Sequence, residues 1–390
     1  MKDVLIIGAG LSGLATAWYL RDAGASVEIV DAGDRPGGLI QTIATPNGPV
    51  ETAANAFIRS ARVDALFAAL DLTPCVPLPA SRHRYIFRDG RPHKWPLTMG
   101  ETVLSALKFG GNWVGRRVSA GEQETVDAWG RRVLGSAATD WLVAPALNGI
   151  YASPPDRLSA RAVAGSRPKG KREFIAPPDG MGQFIERLHA ALVRRDVSFR
   201  FCLTMSPDAL EAGRPTVVAT SANAAAKLLA LHAPAFAAAA ARVVVAPMSP
   251  VTAFFTPREQ DLHGFGVLFP RGVGISALGV RFNGDIFAGR GPLRSETWIY
   301  SGAGSDVPTL THMLRVDRTR VFGDDREPVA LHPTIWPQAI PVYSDAVLAT
   351  AAAQATLPPW LAVAGNYLGR IGVTGLVDVA AELAERIVRR

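Results

Sequence analysis

The chain opens on an apolar run, Val4-Leu5-Ile6-Ile7, followed by Gly8-x-Gly10-x-x-Gly13, and apolar positions then recur at helical spacing: Leu11, Leu14, Ala15, Trp18 and Leu20. A second apolar run, Val27 to Val30, ends in Asp31. This order of strand, glycine turn, helix and strand predicts a βαβ unit on a parallel sheet. Near the other end, Leu361-Ala362-Val363-Ala364 breaks into Gly365-Asn366, and Gly369, Gly372 and Gly375 precede an amphipathic pattern at Leu376, Val379, Ala380, Leu383 and Ile387. That is a second strand–turn–helix. By itself it reads equally as an ordinary unit completing the sheet or as a turn that lays a helix N-terminus on a ligand; beside the first motif, the ligand reading is favoured. Between the ends, 98 to 165 reads as helix-rich, the alanines from Ala233 to Ala241 as helix, and 243 to 345 as strands and turns.

The first glycine motif sits where a dinucleotide needs it. Gly8 permits the tight turn, Gly10 lets backbone approach a pyrophosphate, and Gly13 lets helix and strand pack closely. Asp31, roughly twenty residues on, is placed to accept hydrogen bonds from ribose hydroxyls. Arg35-Pro36-Gly37-Gly38 follows directly. Adjacent glycines let the chain pass a bulky ligand without a Cβ clash, and an arginine beside them carries donors suited to phosphate oxygens.

Composition narrows the picture. With 390 residues, 48% of them apolar, and a mean hydropathy of +0.15, the chain has material for a large core and for more than one structural unit. It contains no uncharged apolar run of bilayer length, and it enters its first strand without a secretory leader, so it is expected in the cytoplasm. Cys75 and Cys202 have no metal or disulfide spacing and are expected as buried fillers. The histidines show no paired spacing, so no metal site is expected. The net charge of +7 and pI near 9.7 favour an acidic partner. Nucleic acid is not expected: short basic clusters such as Arg167 to Arg172 read as solvated loops. Anionic lipid, or a small carboxylate-bearing substrate, suits scattered arginines on an apolar protein better. Nothing resembles a nucleophile–base arrangement for covalent catalysis, so no catalytic residue is assigned.

The Arg-x-Gly-Gly block after the second strand resembles the signature of FAD-dependent amine oxidases and protoporphyrinogen oxidases. Further blocks, in order along nearly the whole chain, resemble the protoporphyrinogen and coproporphyrinogen oxidase family: His83 to Gly90, Glu124 to Gly135, Leu142 to Ser159, His263 to Pro270, Trp336 to Tyr343, and the C-terminal run from Ala364 to Val373. The resemblance implies an α/β fold with three parts: a two-motif FAD-binding Rossmann-like domain, a mixed-sheet substrate domain and a helical membrane-facing subdomain. On this basis the FAD-binding domain is expected over 1–80, 166–240 and 348–390, the substrate domain over 81–97 (as a hairpin) and 241–347, and the helical subdomain over 98–165.

It also implies FAD as cofactor, bound by Gly8, Gly10, Leu11, Ser12, Gly13, Asp31, Arg35, Gly37, Gly38, Gly365, Asn366, Gly372 and Val373. The substrate implied is a porphyrinogen, with oxygen as acceptor, an anionic membrane on the inner face of the cell as a peripheral partner, and a homodimer as an open assembly. Arg84 is the first choice to hold a substrate propionate and Arg59 the second, with Tyr151 and Trp336 as pocket-lining candidates. The sequence leaves open which face of its strand Arg84 takes. The chain departs from the family at Ala53-Ala54 and at Val342, and it is shorter around 100 to 122 and 195 to 215. Amine oxidation, isoprenoid desaturation, and a non-catalytic flavin or tetrapyrrole accessory role are the alternatives.

Overall fold

The computed structural model describes residues 2–166, 173–302 and 306–389. The basic cluster from Arg167 to Arg172 therefore lies outside the described residues. A five-stranded sheet runs in the order Leu361–Val363, Thr216–Val218, Asp3–Ile7, Ser26–Val30, Ser198–Arg200, with every pair parallel. Its strands come from three widely separated stretches of chain. Parallel strands covered on both faces read as continuous apolar runs, and Val4 to Ile7 is such a run. Side-chain alternation splits the run between two cores. Val4 and Ile6 pack with Leu14, Phe184 and Val377 on one face, while Leu5 and Ile7 pack with Leu229, Phe236 and Val347 on the other. The helices Leu11–Asp22 and Val373–Arg389 lie against each other on the first of these faces.

A second sheet forms the other half. Its order is Ala330–Pro333, Val245–Phe255, Arg294–Tyr300, Gly279–Phe282, Gly266–Leu268, Arg84–Arg88, Arg91–His93, with Trp336–Pro341 pairing along the earlier part of Val245–Phe255. It is mixed because Gly266–Leu268 runs parallel to Arg84–Arg88. The hairpin from Arg84 to His93 turns through Asp89 and Gly90, at φ 50° and 79°, the left-handed pair that a two-residue hairpin loop demands. Register assigns the two faces. Tyr85, Val267, Val280, Trp298 and Val251 form one row across the sheet and pack with Leu310 and Leu314 of the helix Val307–Phe322. The neighbouring row, Arg84, Gly266, Arg281, Thr297 and Thr252, faces the opposite way.

Charge is buried beneath the first face. Glu296 is fully buried and accepts from Arg294 Nε (2.6 Å), Trp298 Nε1 (3.1 Å) and Arg318 Nε (3.2 Å). Arg318 also meets Asp324 at 3.0 Å and lies 3.9 Å over the ring of Phe255. The cysteines depart from expectation: Cys75 is half-buried and Cys202 exposed. Cys202 sits in a loop, at φ 55°, where its N–H reaches Gly33 O rather than joining a core.

Candidate active site

The first strand ends in Gly8 at φ 113°, and a Cβ there would lie 2.5 Å from Ala219 O, so only glycine makes this turn. The helix that follows packs so close that a Cβ on Gly13 would fall 1.9 Å from Gly8 O. Gly10 is different. It has ordinary φ and open space around its missing Cβ, with no atom within 4 Å. It is also the N-cap of Leu11–Asp22 and supplies no side-chain cap, so the first N–H groups of the helix have no partner in the helix itself. Unpaired N–H groups and the positive end of the helix dipole form an anion site.

The second glycine block docks on the first. Gly37 N–H donates to Ala9 O at 2.8 Å, Gly10 and Gly37 form a parallel bridge, and a Cβ on Gly38 would stand 3.5 Å from Gly10 Cα. Asp31 is fixed at the tip of its strand by Ala9 N–H (2.5 Å) and Gly33 N–H (2.6 Å), one to each oxygen. A carboxylate has about four acceptor positions, so Asp31 keeps room for ligand hydroxyls.

These groups line one end of a cavity of about 1730 Å³ that reaches from the parallel sheet to the second face of the mixed sheet. Of the thirteen expected cofactor residues, Gly8, Gly10, Leu11, Ser12, Asp31, Gly37, Gly38, Gly365, Asn366, Gly372 and Val373 line it. Gly13 lies behind the wall, where it sets helix packing. Arg35 is not among the lining residues: its guanidinium donates to Pro36 O (3.1 Å) and Gly38 O (3.0 Å), so it braces the Gly-Gly loop through carbonyls near in sequence. At the C-terminal motif, Asn366 O accepts from Tyr343 Oη at 2.5 Å, and Gly372, with no atom within 4 Å of its missing Cβ, precedes the helix Val373–Arg389. Two helix starts thus meet the same space.

The departures Ala53 and Ala54 line the middle of the cavity, where Trp336 Nε1 donates to Thr52 O at 2.8 Å. Val342 is buried and is not part of the wall. Glu51 is nearly buried behind this segment. It accepts from Met181 N–H (2.9 Å) and Thr42 Oγ1 (2.8 Å), with Arg290 at 3.7 Å; burial pushes its carboxyl up, opposed by those two hydrogen bonds and by Arg290.

The far end is apolar. Met248, Pro250 and Ile299 of the mixed sheet form its floor, and Leu142, Val143 and Leu147 of the helical region form a wall with Tyr151 and Trp336. Arg281 is the guanidinium on the floor, and nothing local in the sequence distinguished it. The register puts Arg84 on the cavity-side face, which answers the question its sequence left open. Its guanidinium lies 4.5 Å over Phe265 and 5.6 Å over Phe174, and Phe174 lines the cavity although Arg84 itself does not. Arg59 stands apart from the lining. It is at the surface, paired with Asp64 (3.1 Å) and Glu173 (3.3 Å), and does not reach the cavity.

The residues present fit a dinucleotide. Two glycine loops leave space where phosphates need backbone N–H groups, a carboxylate stands at the ribose position, and the volume exceeds the ~300–1,000 Å³ usual for one drug-sized ligand. A family model described as an NAD(P)-binding Rossmann-like domain matches residues 6–71. By fold and site, the chain resembles the class of oxidoreductases built on a dinucleotide-binding domain. Within that class it resembles protoporphyrinogen and coproporphyrinogen oxidases along its full length. It is 24% identical to the chloroplastic protoporphyrinogen oxidase of Nicotiana tabacum, over 99% of this chain and 85% of that protein. It is 25% identical to the coproporphyrinogen III oxidase of Mycobacterium leprae, over 99% and 98%. A crystal structure of a candidate protoporphyrinogen oxidase from an Exiguobacterium species superposes with a TM-score of 0.82 at 19% identity, covering 100% of this chain and 99% of that one.

Proposed function

We propose that this chain binds FAD and oxidises a porphyrinogen, protoporphyrinogen IX or coproporphyrinogen III, to the porphyrin in three two-electron rounds with oxygen as acceptor, in tetrapyrrole biosynthesis. The observation that carries this reading is the continuous cavity, with a dinucleotide cradle at one end and an apolar chamber bearing a guanidinium at the other. Bound flavin would supply the redox chemistry at a saturated meso carbon. The protein's part is to orient the macrocycle on Met248, Pro250 and Ile299, exclude water, and place cations for the propionates. The charge pattern argues against an ammonium held by a carboxylate: the acids lining the described cavity are Asp31, held at the nucleotide end, and Asp378, 3.3 Å from Arg62.

The test is direct. The purified protein should release FAD on denaturation, and anaerobic mixing with porphyrinogen should bleach the bound flavin; porphyrin fluorescence with each porphyrinogen offered separately then identifies the substrate. A colourless protein, or a flavin that neither porphyrinogen reduces, would sink the reading.

Arg84 is proposed to hold one propionate at the cavity edge. Arg84→Ala should raise KM about ten- to hundredfold, the loss of a charge-assisted pair worth about 1.5–3 kcal/mol, with flavin content unchanged. Lysine should recover only part, since a point charge lacks the planar fork. A porphyrinogen with esterified propionates is the control: equal losses for acid and ester would make Arg84 structural.

The helical region is proposed to rest on an anionic membrane. Among the described residues, no helix is long and apolar enough to cross one. The helix Met99–Val114 buries none of its residues, yet carries Met99, Leu104, Leu107, Trp113 and Val114 at 66–83% exposure. Lys94, Lys108 and Arg116 are exposed nearby in sequence. Co-sedimentation with phosphatidylserine vesicles should be strong at low ionic strength and weaker at high, and the double variant Leu107→Asp/Trp113→Asp should abolish it. No pelleting of the wild type at low salt counts against this face.

A further inference from the structure

Besides Arg84, the mixed sheet carries on its cavity side an arginine whose side chain makes no ion pair among the described residues. Arg281, on the strand Gly279–Phe282, occupies the same cross-strand row as Arg84, with Gly266 between them. Two strand spacings put the two Cα atoms about 10 Å apart, and the intervening residue has no side chain. Arg281 is half-buried and lines the cavity. Among the described residues its side chain makes no hydrogen bond or ion pair, and its Nε is buried without a partner. The nearest carboxylate that influences it, Glu51, is already engaged: Met181 N–H takes one oxygen, Thr42 Oγ1 the other, and Arg290 stands 3.7 Å away. Arg290 is itself buried, and its Nη1 has that ion pair but no hydrogen-bond partner. Two guanidiniums therefore share one committed carboxylate, leaving an excess positive charge at the cavity floor.

A buried, unpaired ion costs several kcal/mol, so a group kept that way is matched to an anion that comes and goes. Burial pushes the Arg281 guanidinium down to about 10, still charged at neutral pH. Beside it the floor is Ile299 and Pro250, which offers an incoming anion no competing donor.

We propose that Arg281 is a substrate-binding residue that receives a carboxylate of the substrate at the cavity floor, in addition to the group held at Arg84. This rests on the reading of the substrate as an apolar macrocycle with carboxylate arms. It favours substrates with a carboxylate arm long enough to reach the cavity floor, because the guanidinium there has no anion of the protein's own within hydrogen-bond reach.

The test uses the flavin-loaded protein and a ligand that does not turn over. Binding of protoporphyrin IX and of its dimethyl ester is measured by quenching of protein tryptophan fluorescence in wild type, Arg281→Met and Arg281→Lys. Arg281→Met should bind the diacid about ten- to hundredfold more weakly and the diester unchanged, while Arg281→Lys recovers part of the loss. Its flavin content and flavin midpoint potential should match the wild type. Thermal unfolding should stay equal or rise, since a thioether replaces an unpaired buried charge. The inference is overturned alone if the wild type prefers the diacid and Arg281→Met keeps that preference. It is equally overturned if acid and ester lose affinity together, or if the potential shifts while diacid affinity holds, which would assign Arg281 to the cofactor. If the wild type binds neither porphyrin and oxidises neither porphyrinogen, the functional reading falls and this inference falls with it.

Discussion

Gly10→Val is expected to yield a colourless, folded protein. Gly10 has ordinary φ and nothing within 4 Å of its missing Cβ, so a β-carbon there meets no protein atom and imposes little backbone strain. Its branched side chain instead fills the space into which the uncapped start of Leu11–Asp22 opens, where a pyrophosphate must come within hydrogen-bond reach. Cofactor loss should therefore be separable from misfolding. Flavin absorbance per chain reads the first, and far-UV circular dichroism reads the second. Gly13→Val is the contrast: its Cβ would fall 1.9 Å from Gly8 O, so it should damage the fold itself. A fully yellow Gly10→Val protein would remove the pyrophosphate from this turn.

Glu296→Ala is expected to cost about 3–5 kcal/mol, because removing one member of a buried ionic cluster strands its partners without water. Arg294 and Arg318 both direct Nε at this carboxylate; Arg318 keeps Asp324, and Arg294 is left with Asp261 at 3.8 Å. A loss of that size is a large share of the ~5–15 kcal/mol that typical proteins have. Equilibrium urea unfolding followed by tryptophan emission is the measurement, and Trp298, whose Nε1 donates to Glu296, is a reporter inside the cluster. The comparison is Glu327→Ala, which breaks an ion pair with Arg315 whose side chains are 66% and 51% exposed. It should change stability by no more than about 1 kcal/mol. Equal effects from the two substitutions would mean that burial does not govern these pairs.

The glycine cradle was legible in the sequence because its determinants are local: a strand, a turn and a helix start lie within residues 3–22, and the acid at Asp31 ends the next strand. The C-terminal strand and helix were legible for the same reason. What sequence left open was decided by partners far away in the chain. The face taken by Arg84 is set by its pairing with Gly266, and that of Arg281 by its pairings with Gly266 and Thr297. An arginine within a short strand otherwise looks like any solvated position. The partners of Arg35 and Arg59 were not legible either: nearby carbonyls accept from the first, and surface carboxylates pair with the second.

The interleaving of the parallel sheet has a consequence for synthesis. Asp3–Ile7 pairs on one side with Ser26–Val30, which emerges at once, but on the other with Thr216–Val218, and that strand in turn waits for Leu361–Val363. At the roughly 5–20 residues per second of translation, the ~200 residues separating Ile7 from Thr216 leave one side of the founding strand unpaired for about 10–40 s on the ribosome. During that interval the nascent chain presents an apolar, β-prone segment to its surroundings, so its yield in the cell should depend on holdase chaperones that occupy the segment until the later strands arrive.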